Sequence, residues 1–256
     1  MRLSNTLICV ASLAAALSGC QSGGGSRSQS ADNAVPGARA PGPADVYVEL
    51  AAFYLQDGQL GVALAKAQQA VDKDPKNPQA HTVLGMVHQR MGEAAKAEAD
   101  FQEALRVAPN DFYVQNAYGV FLCSQRRLDE ANTQFTAAMR NPLNESPWVA
   151  ITNAAICSQD LNDRAGAERQ FREALQRNPN FAPALLRMAR LSLDAGDYAA
   201  ARGYLQRYQN ANQHNAESLA IALEVERRAG DRNKAAAYER LMRERYPDAP
   251  DAARAR

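Results

Sequence analysis

Four cysteines and three histidines are the side chains of this 256-residue chain best suited to chemistry. A thiol can act as a nucleophile, bind a metal, accept an acyl chain or form a disulfide, and its spacing from other groups selects among these. No Cys-x-x-Cys pair, His-Glu-x-x-His segment or glycine-rich phosphate loop occurs. His81 and His88 share a helix face, but a seven-residue separation puts them about 10 Å apart along the axis, too far for one metal. Both occupy positions that are aromatic elsewhere in an internal repeat, so packing is their expected role. His214 falls in a polar turn, where solvation is expected. With no nucleophile and base arrangement in view, the residues do not read as an enzyme. They call for no cofactor and no small-molecule substrate.

The repeat is the stronger signal, because small and aromatic residues return every 34 positions in six copies. Leu84, Gly85, His88, Gly92, Ala97, Phe101, Ala104 and Pro109 follow Leu50, Ala51, Tyr54, Gly58, Ala63, Ala67, Ala70 and Pro75. The pattern continues through Tyr118, Gly119, Phe135 and Ala138, then Ala154, Ala155, Phe171, Ala174 and Pro179, then Met188, Ala189, Gly196 and Leu205. The last copy carries Ala222, Gly230, Ala235, Met242 and Pro247, with Glu239 in place of the aromatic that Phe101, Phe135 and Phe171 supply in the middle copies. Units therefore span 44–77, 78–111, 112–147, 148–181, 182–215 and 216–249, with a two-residue insertion around Pro142 to Pro147.

Within each unit apolar residues recur three and four apart on both sides of a polar turn, which predicts two amphipathic helices. Glycine in that turn permits the positive φ that ends the first helix. Small residues such as Gly85 and Ala97 let the two helices approach, and Leu84 and Phe101 fill the space around the contact. A closing proline cannot continue the second helix and holds the residue before it extended. The spacing resembles the tetratricopeptide repeat. That resemblance implies an all-α fold, a right-handed α-solenoid of six helix-turn-helix units over 44–249, with a short tail at 250–256. The departures at Gln213 and Glu239 suit a terminal unit that has one neighbour only.

Ahead of the repeats, residues 1–19 carry Arg2, the apolar run Leu7 to Leu17, and Ser18-Gly19 before Cys20. The run is too short for a stable membrane-spanning helix and has the layout of a cleaved signal. Leu17-Ser18-Gly19-Cys20 resembles the bacterial lipobox, which implies cleavage before Cys20 and acylation of that cysteine. Gln21, where an aspartate marks inner-membrane retention in many lipoproteins of this kind, implies an outer-membrane anchor facing the periplasm. Residues 20–43 are rich in Gly, Ser, Pro and Ala and read as a disordered tether. Of the 29 basic residues Arg2 leaves with the signal, so 28 face 28 acids and the mature chain is neutral. Nucleic acid, which needs a basic excess, is not an expected partner.

Cys9 leaves with the signal, which leaves Cys123 and Cys157 on the first helices of the third and fourth units. Those helices are neighbours in a tetratricopeptide stack. The insertion sets Cys157 about half a turn earlier in its unit, which suits staggered helices. An oxidising periplasm favours a disulfide between them, and two separately buried thiols are the alternative. First helices line a concave groove in this architecture, and the period assigns Met86, Tyr113, Asn116, Val120, Thr152, Ile156, Leu186 and Arg190 to it. Val48, Ala52 and Leu55 take the corresponding places in the first unit. The Lys and Asn clamp of chaperone-binding members is missing. The apolar groove would suit an amphipathic helix or strand of a protein partner, unless these residues only pack against neighbouring units.

Lipobox, tether, six repeats and a cysteine pair in the third and fourth are together similar to the type IV pilus biogenesis lipoproteins of the PilW and PilF type. Asn116-Ala117-Tyr118-Gly119-Val120-Phe121-Leu122-Cys123, Asn141-Pro142-Leu143, Asn215-Ala216-Glu217-Ser218-Leu219 and Ala236-Ala237-Tyr238-Glu239-Arg240-Leu241 carry the likeness. It implies a pilotin: a lipoprotein that binds secretin subunits and brings them to the outer membrane to multimerise. A general periplasmic adaptor serving peptidoglycan or outer-membrane protein assembly is the alternative.

Overall fold

The computed structural model describes residues 42–247. The expected signal, the lipidation site Cys20, nearly all of the tether and the C-terminal tail lie outside that range. Among the described residues there are twelve helices and no strand. They form two compact units divided after Pro109. The first holds α1 (Pro43–Gln56), α2 (Leu60–Lys73), α3 (Pro78–Arg90) and α4 (Ala94–Val107). The second holds α5 (Phe112–Ser124), α6 (Leu128–Arg140), α7 (Pro147–Asp160), α8 (Arg164–Arg177), α9 (Ala182–Asp194), α10 (Tyr198–Ala211), α11 (Ala216–Ala229) and α12 (Arg232–Arg245). Each odd-numbered helix pairs with the next in an antiparallel hairpin, and one hairpin fills one period.

Local chemistry explains the boundaries. Gly58, Gly92, Gly196 and Gly230 end first helices at φ between 76° and 80°. Arg126 and Asn162 occupy the same place in the third and fourth hairpins at φ 62° and 68°. A side chain in that region costs about 1 kcal/mol, less for asparagine. Asp163, Asp197 and Asp231 then accept hydrogen bonds from Gly166, Ala200 and Lys234 N and so cap the second helices. Asn77 and Asp111 cap α3 and α5 in the same way. Asp74, Ala108 and Asn178, each just before a proline, leave the helix with φ near −140°. Pro43 and Pro147 each start a helix one residue earlier than the period places the unit. Proline's fixed φ is ready-made for a first helical turn, so α1 takes one residue from the segment read as tether.

Second helices bury an Ala-Phe-Ala stripe: Ala97, Phe101 and Ala104 on α4; Ala131, Phe135 and Ala138 on α6; Ala167, Phe171 and Ala174 on α8. The phenylalanine lies under the small residue of the facing helix. A Cβ on Gly119 would sit 2.8 Å from the Phe135 ring, and one on Gly85 would sit 3.2 Å from Phe101 and from the Ala97 carbonyl oxygen. Gly119→Val is therefore expected to lower stability by about 2 kcal/mol. An unchanged urea midpoint would contradict this close approach.

Consecutive hairpins also pack on one another, with α5 beside α7 and α9 beside α11 in the second unit. That is the nearest-neighbour arrangement of a repeat protein. The insertion is ordered by two asparagines. Asn141 Nδ2 donates to Asn110 O at 2.6 Å while its Oδ1 accepts from Leu143 N, and Asn144 Nδ2 donates to Ala138 O at 2.8 Å. In the last hairpin Glu239 takes no core position and meets Arg227 at 2.5 Å.

Candidate functional site

The histidines act as structural parts. His81 Nε2 lies 2.9 Å from Pro75 O, and His88 Nδ1 lies 2.6 Å from Asp100 Oδ2 on α4. Burial raises the Asp100 carboxyl pKa above its ordinary value, and the His88 hydrogen bond opposes that rise. His214 is tied in more firmly than a solvated turn residue. Its ring contacts Gln209 and Ser218 and meets Tyr238 edge-on, and burial lowers its pKa. The expectation of a merely solvated side chain is corrected there. Three helices converge on a junction that has Gln213 in place of a closing proline. Among the described residues no group of three or more His, Cys, Asp and Glu could hold a metal ion.

Cys123 and Cys157 form a disulfide, with Cα atoms 5.8 Å apart, that links α5 to α7. A second cross-link lies nearby in sequence, where Asn153 Nδ2 donates to Asn116 Oδ1 at 3.0 Å. The pair of bonds fixes two neighbouring first helices on either side of the insertion.

The eight residues assigned to the groove divide between the two units and differ in access. Met86 is half-buried on α3 of the first unit. In the second, Tyr113 is 56% exposed, while Asn116 and Arg190 are half-buried. Arg190 has no carboxylate partner among the described residues. Val120, Thr152, Ile156 and Leu186 are buried, and Ile156 is wholly so. For these four the expectation of an open groove lining is corrected, because neighbouring helices cover their side chains. Leu55 on α1 is buried as well.

Other residues supply the exposed apolar surface instead. Val46 and Phe53 lie seven residues apart on one face of α1 and are 59% and 61% exposed. The repeat pattern passed over them because in a central unit that face would be covered by the preceding hairpin. Leu143 is exposed on the insertion loop, near in sequence to the residues that brace it. On the second helices, Arg172, Leu175, Gln176, Tyr204 and Arg207 line a cleft between α8 and α10. The groove pattern of the first helices carries no signal of it.

Comparison with known proteins agrees with this architecture. The tetratricopeptide repeat pattern matches residues 54–120 and 159–223. The type IV pilus assembly protein PilF of Pseudomonas aeruginosa is 29% identical over 235 residues, covering 92% of this chain and 91% of that protein. The crystal structure of PilW, described as a widely conserved type IV pilus biogenesis factor, superposes with a TM-score of 0.68 at 27% identity, over 84% of this chain and 99% of PilW. The Pseudomonas aeruginosa PilF structure gives 0.63 at 28% identity, over 82% of this chain and 95% of that one. With hairpins, turns and small-residue contacts all on one 34-residue period, the chain belongs to the tetratricopeptide repeat family and within it is similar in sequence and fold to the type IV pilus proteins PilF and PilW.

Proposed function

We propose that this chain is an outer-membrane lipoprotein that binds secretin subunits and promotes their localisation and multimerisation in type IV pilus biogenesis. The observation that carries the reading is likeness to PilF and PilW along nearly the whole chain rather than over a few repeats. Repeats alone support a protein-binding scaffold; likeness of this extent supports a tetratricopeptide repeat protein of type IV pilus biogenesis. The lipobox-like Leu17-Ser18-Gly19-Cys20 adds the anchor. Several acyl chains hold a protein at a membrane far more firmly than one.

The mechanism is one of placement, with no bond made or broken. Exposed Val46 and Phe53 on α1 of the first unit offer apolar contact to an amphipathic helix or strand of the secretin, and Tyr113 on α5 offers a separate contact on the second unit; the anchor on Cys20 carries the bound subunit to its membrane. Cys20→Ala is expected to leave secretin subunits outside the outer membrane and to reduce the multimer band by tenfold or so on a membrane-fraction immunoblot. Normal multimers in the outer membrane of that mutant would reject the pilotin role. Photo-crosslinking from Tyr113 and Phe53 in living cells should capture the secretin. Capture of a peptidoglycan enzyme or of an outer-membrane assembly factor would move the assignment to a general adaptor.

A further inference from the structure

We infer that the cleft between α8 and α10 is a second protein-binding site, which takes an acidic partner segment bearing an apolar side chain beside its carboxylate. The cleft has a volume of about 210 Å³ and is lined by Arg172, Leu175 and Gln176 from α8 and by Tyr204 and Arg207 from α10. Leu175 is buried and Tyr204 half-buried, so an apolar floor and an aromatic wall lie next to charge.

Arg207 is the central group. Its guanidinium lies 5.8 Å from the Tyr204 ring centroid and donates to Pro179 O at 2.7 Å. These contacts hold the side chain in place while leaving its charge unneutralised, because among the described residues it has no carboxylate partner. Arg169, three residues before Arg172, is exposed and likewise unpaired among the described residues. Arg172 does meet Glu168 at 2.5 Å, but both are solvent-accessible and such a pair exchanges partners at little cost.

The charge is local. Of the six arginines on α8 and α10, Arg172 and Arg177 pair with the two glutamates of α8 and Arg202 pairs with Glu226, which leaves Arg164, Arg169 and Arg207 without a carboxylate partner among the described residues, whereas the chain as a whole carries a net charge of only +1. An arginine beside an apolar surface is a strong carboxylate receptor, since its fork matches the two oxygens and the neighbouring surface excludes water. Arginine and tyrosine are also enriched at the energetic centres of protein interfaces. Leu175 and Tyr204 put apolar surface beside the guanidinium, which favours a peptide carrying an apolar side chain next to its carboxylate over the charged headgroup layer of an anionic membrane. The site sits on second helices, so it stands whether or not a secretin is the partner of the first-helix surface.

The test uses the full mature chain with Cys20→Ala, titrated into a fluorescein-labelled peptide in which one phenylalanine is flanked by glutamates. Fluorescence anisotropy should show saturable binding, about tenfold weaker for the same peptide with glutamines. Arg207→Gln should weaken the acidic peptide about tenfold with circular dichroism unchanged, and Arg207→Lys should restore part of the loss. Gln176→Glu, at an exposed position where the fold is not at stake, should weaken it independently. Equal binding of both peptides, no saturable binding, or indifference to Arg207→Gln and Gln176→Glu would overturn the inference. So would co-sedimentation with phosphatidylglycerol vesicles that Arg207→Gln abolishes while the peptides fail to bind, since the patch would then face lipid.

Discussion

Phe171→Ala is expected to lower the stability of the unit of residues 110–247 by about 3–5 kcal/mol. Phe171 is wholly buried on α8, in the cluster that joins Ala155 and Ile156 of α7 to Leu185 and Ala189 of α9. It therefore serves both its own hairpin and the contact with the next one. Truncation leaves a cavity that alanine-rich neighbours are too short to fill. Repeat proteins draw their stability from each unit and from each interface between units, so both contributions weaken together. Thermal or urea unfolding followed by circular dichroism should show a lower midpoint and a broader transition. A loss under about 1 kcal/mol would mean that the site collapses far more easily than such packing allows.

The double variant Cys123→Ala, Cys157→Ala is expected to cost about 2–4 kcal/mol. The bond closes a loop with a sequence separation of 34 residues and spans the one irregular junction in the stack. Its main contribution lies in restricting the unfolded chain, and alanine avoids leaving a polar group in the buried sites. Reductant should lower the melting temperature of the parent protein towards that of the variant and leave the variant itself unchanged. A parent whose melting temperature is unmoved by reductant, although mass confirms that the bond has been reduced, would show that the junction is held by packing and by the Asn116–Asn153 hydrogen bond alone.

Much of the architecture is legible along the chain because its determinants are local. A turn needs a residue that accepts positive φ, a proline ends a helix, and an alanine opposite a phenylalanine sets how near two helices come. Arg126 and Asn162 show the limit of reading residue types. Neither is glycine, yet both adopt the left-handed conformation, because the hairpin around them requires it. Similarly, Glu226 stands where other units carry an aromatic or neutral side chain. It is nevertheless buried, because Arg202 on α10 meets its two oxygens at 2.5 and 2.9 Å. A charge in that place is tolerable only with its partner attached.

The binding surface was less legible for a related reason. The period identifies Ile156, Thr152 and Leu186 as inward-facing on first helices, but the direction of a side chain does not say how much of it a neighbour covers. Burial is a property of two or more elements that are remote in sequence, and small differences in their spacing decide whether an inward residue lines a groove or fills a seam. Exposed apolar residues arise where no described helix covers them, as at Val46 and Phe53 on the first described helix and Leu143 on the insertion.

The sequence by itself determined the 34-residue period, the paired helices with their turns and caps, and the type of scaffold these build, since each depends on backbone preferences and on contacts within one hairpin. Only the tertiary structure decided which groove residues remain accessible, how His214 and Glu226 are held, and that arginines from α8 and α10 flank one cleft. Those outcomes depend on how successive hairpins pack, and packing is set by the combined shape of many side chains rather than by the spacing of any one pattern.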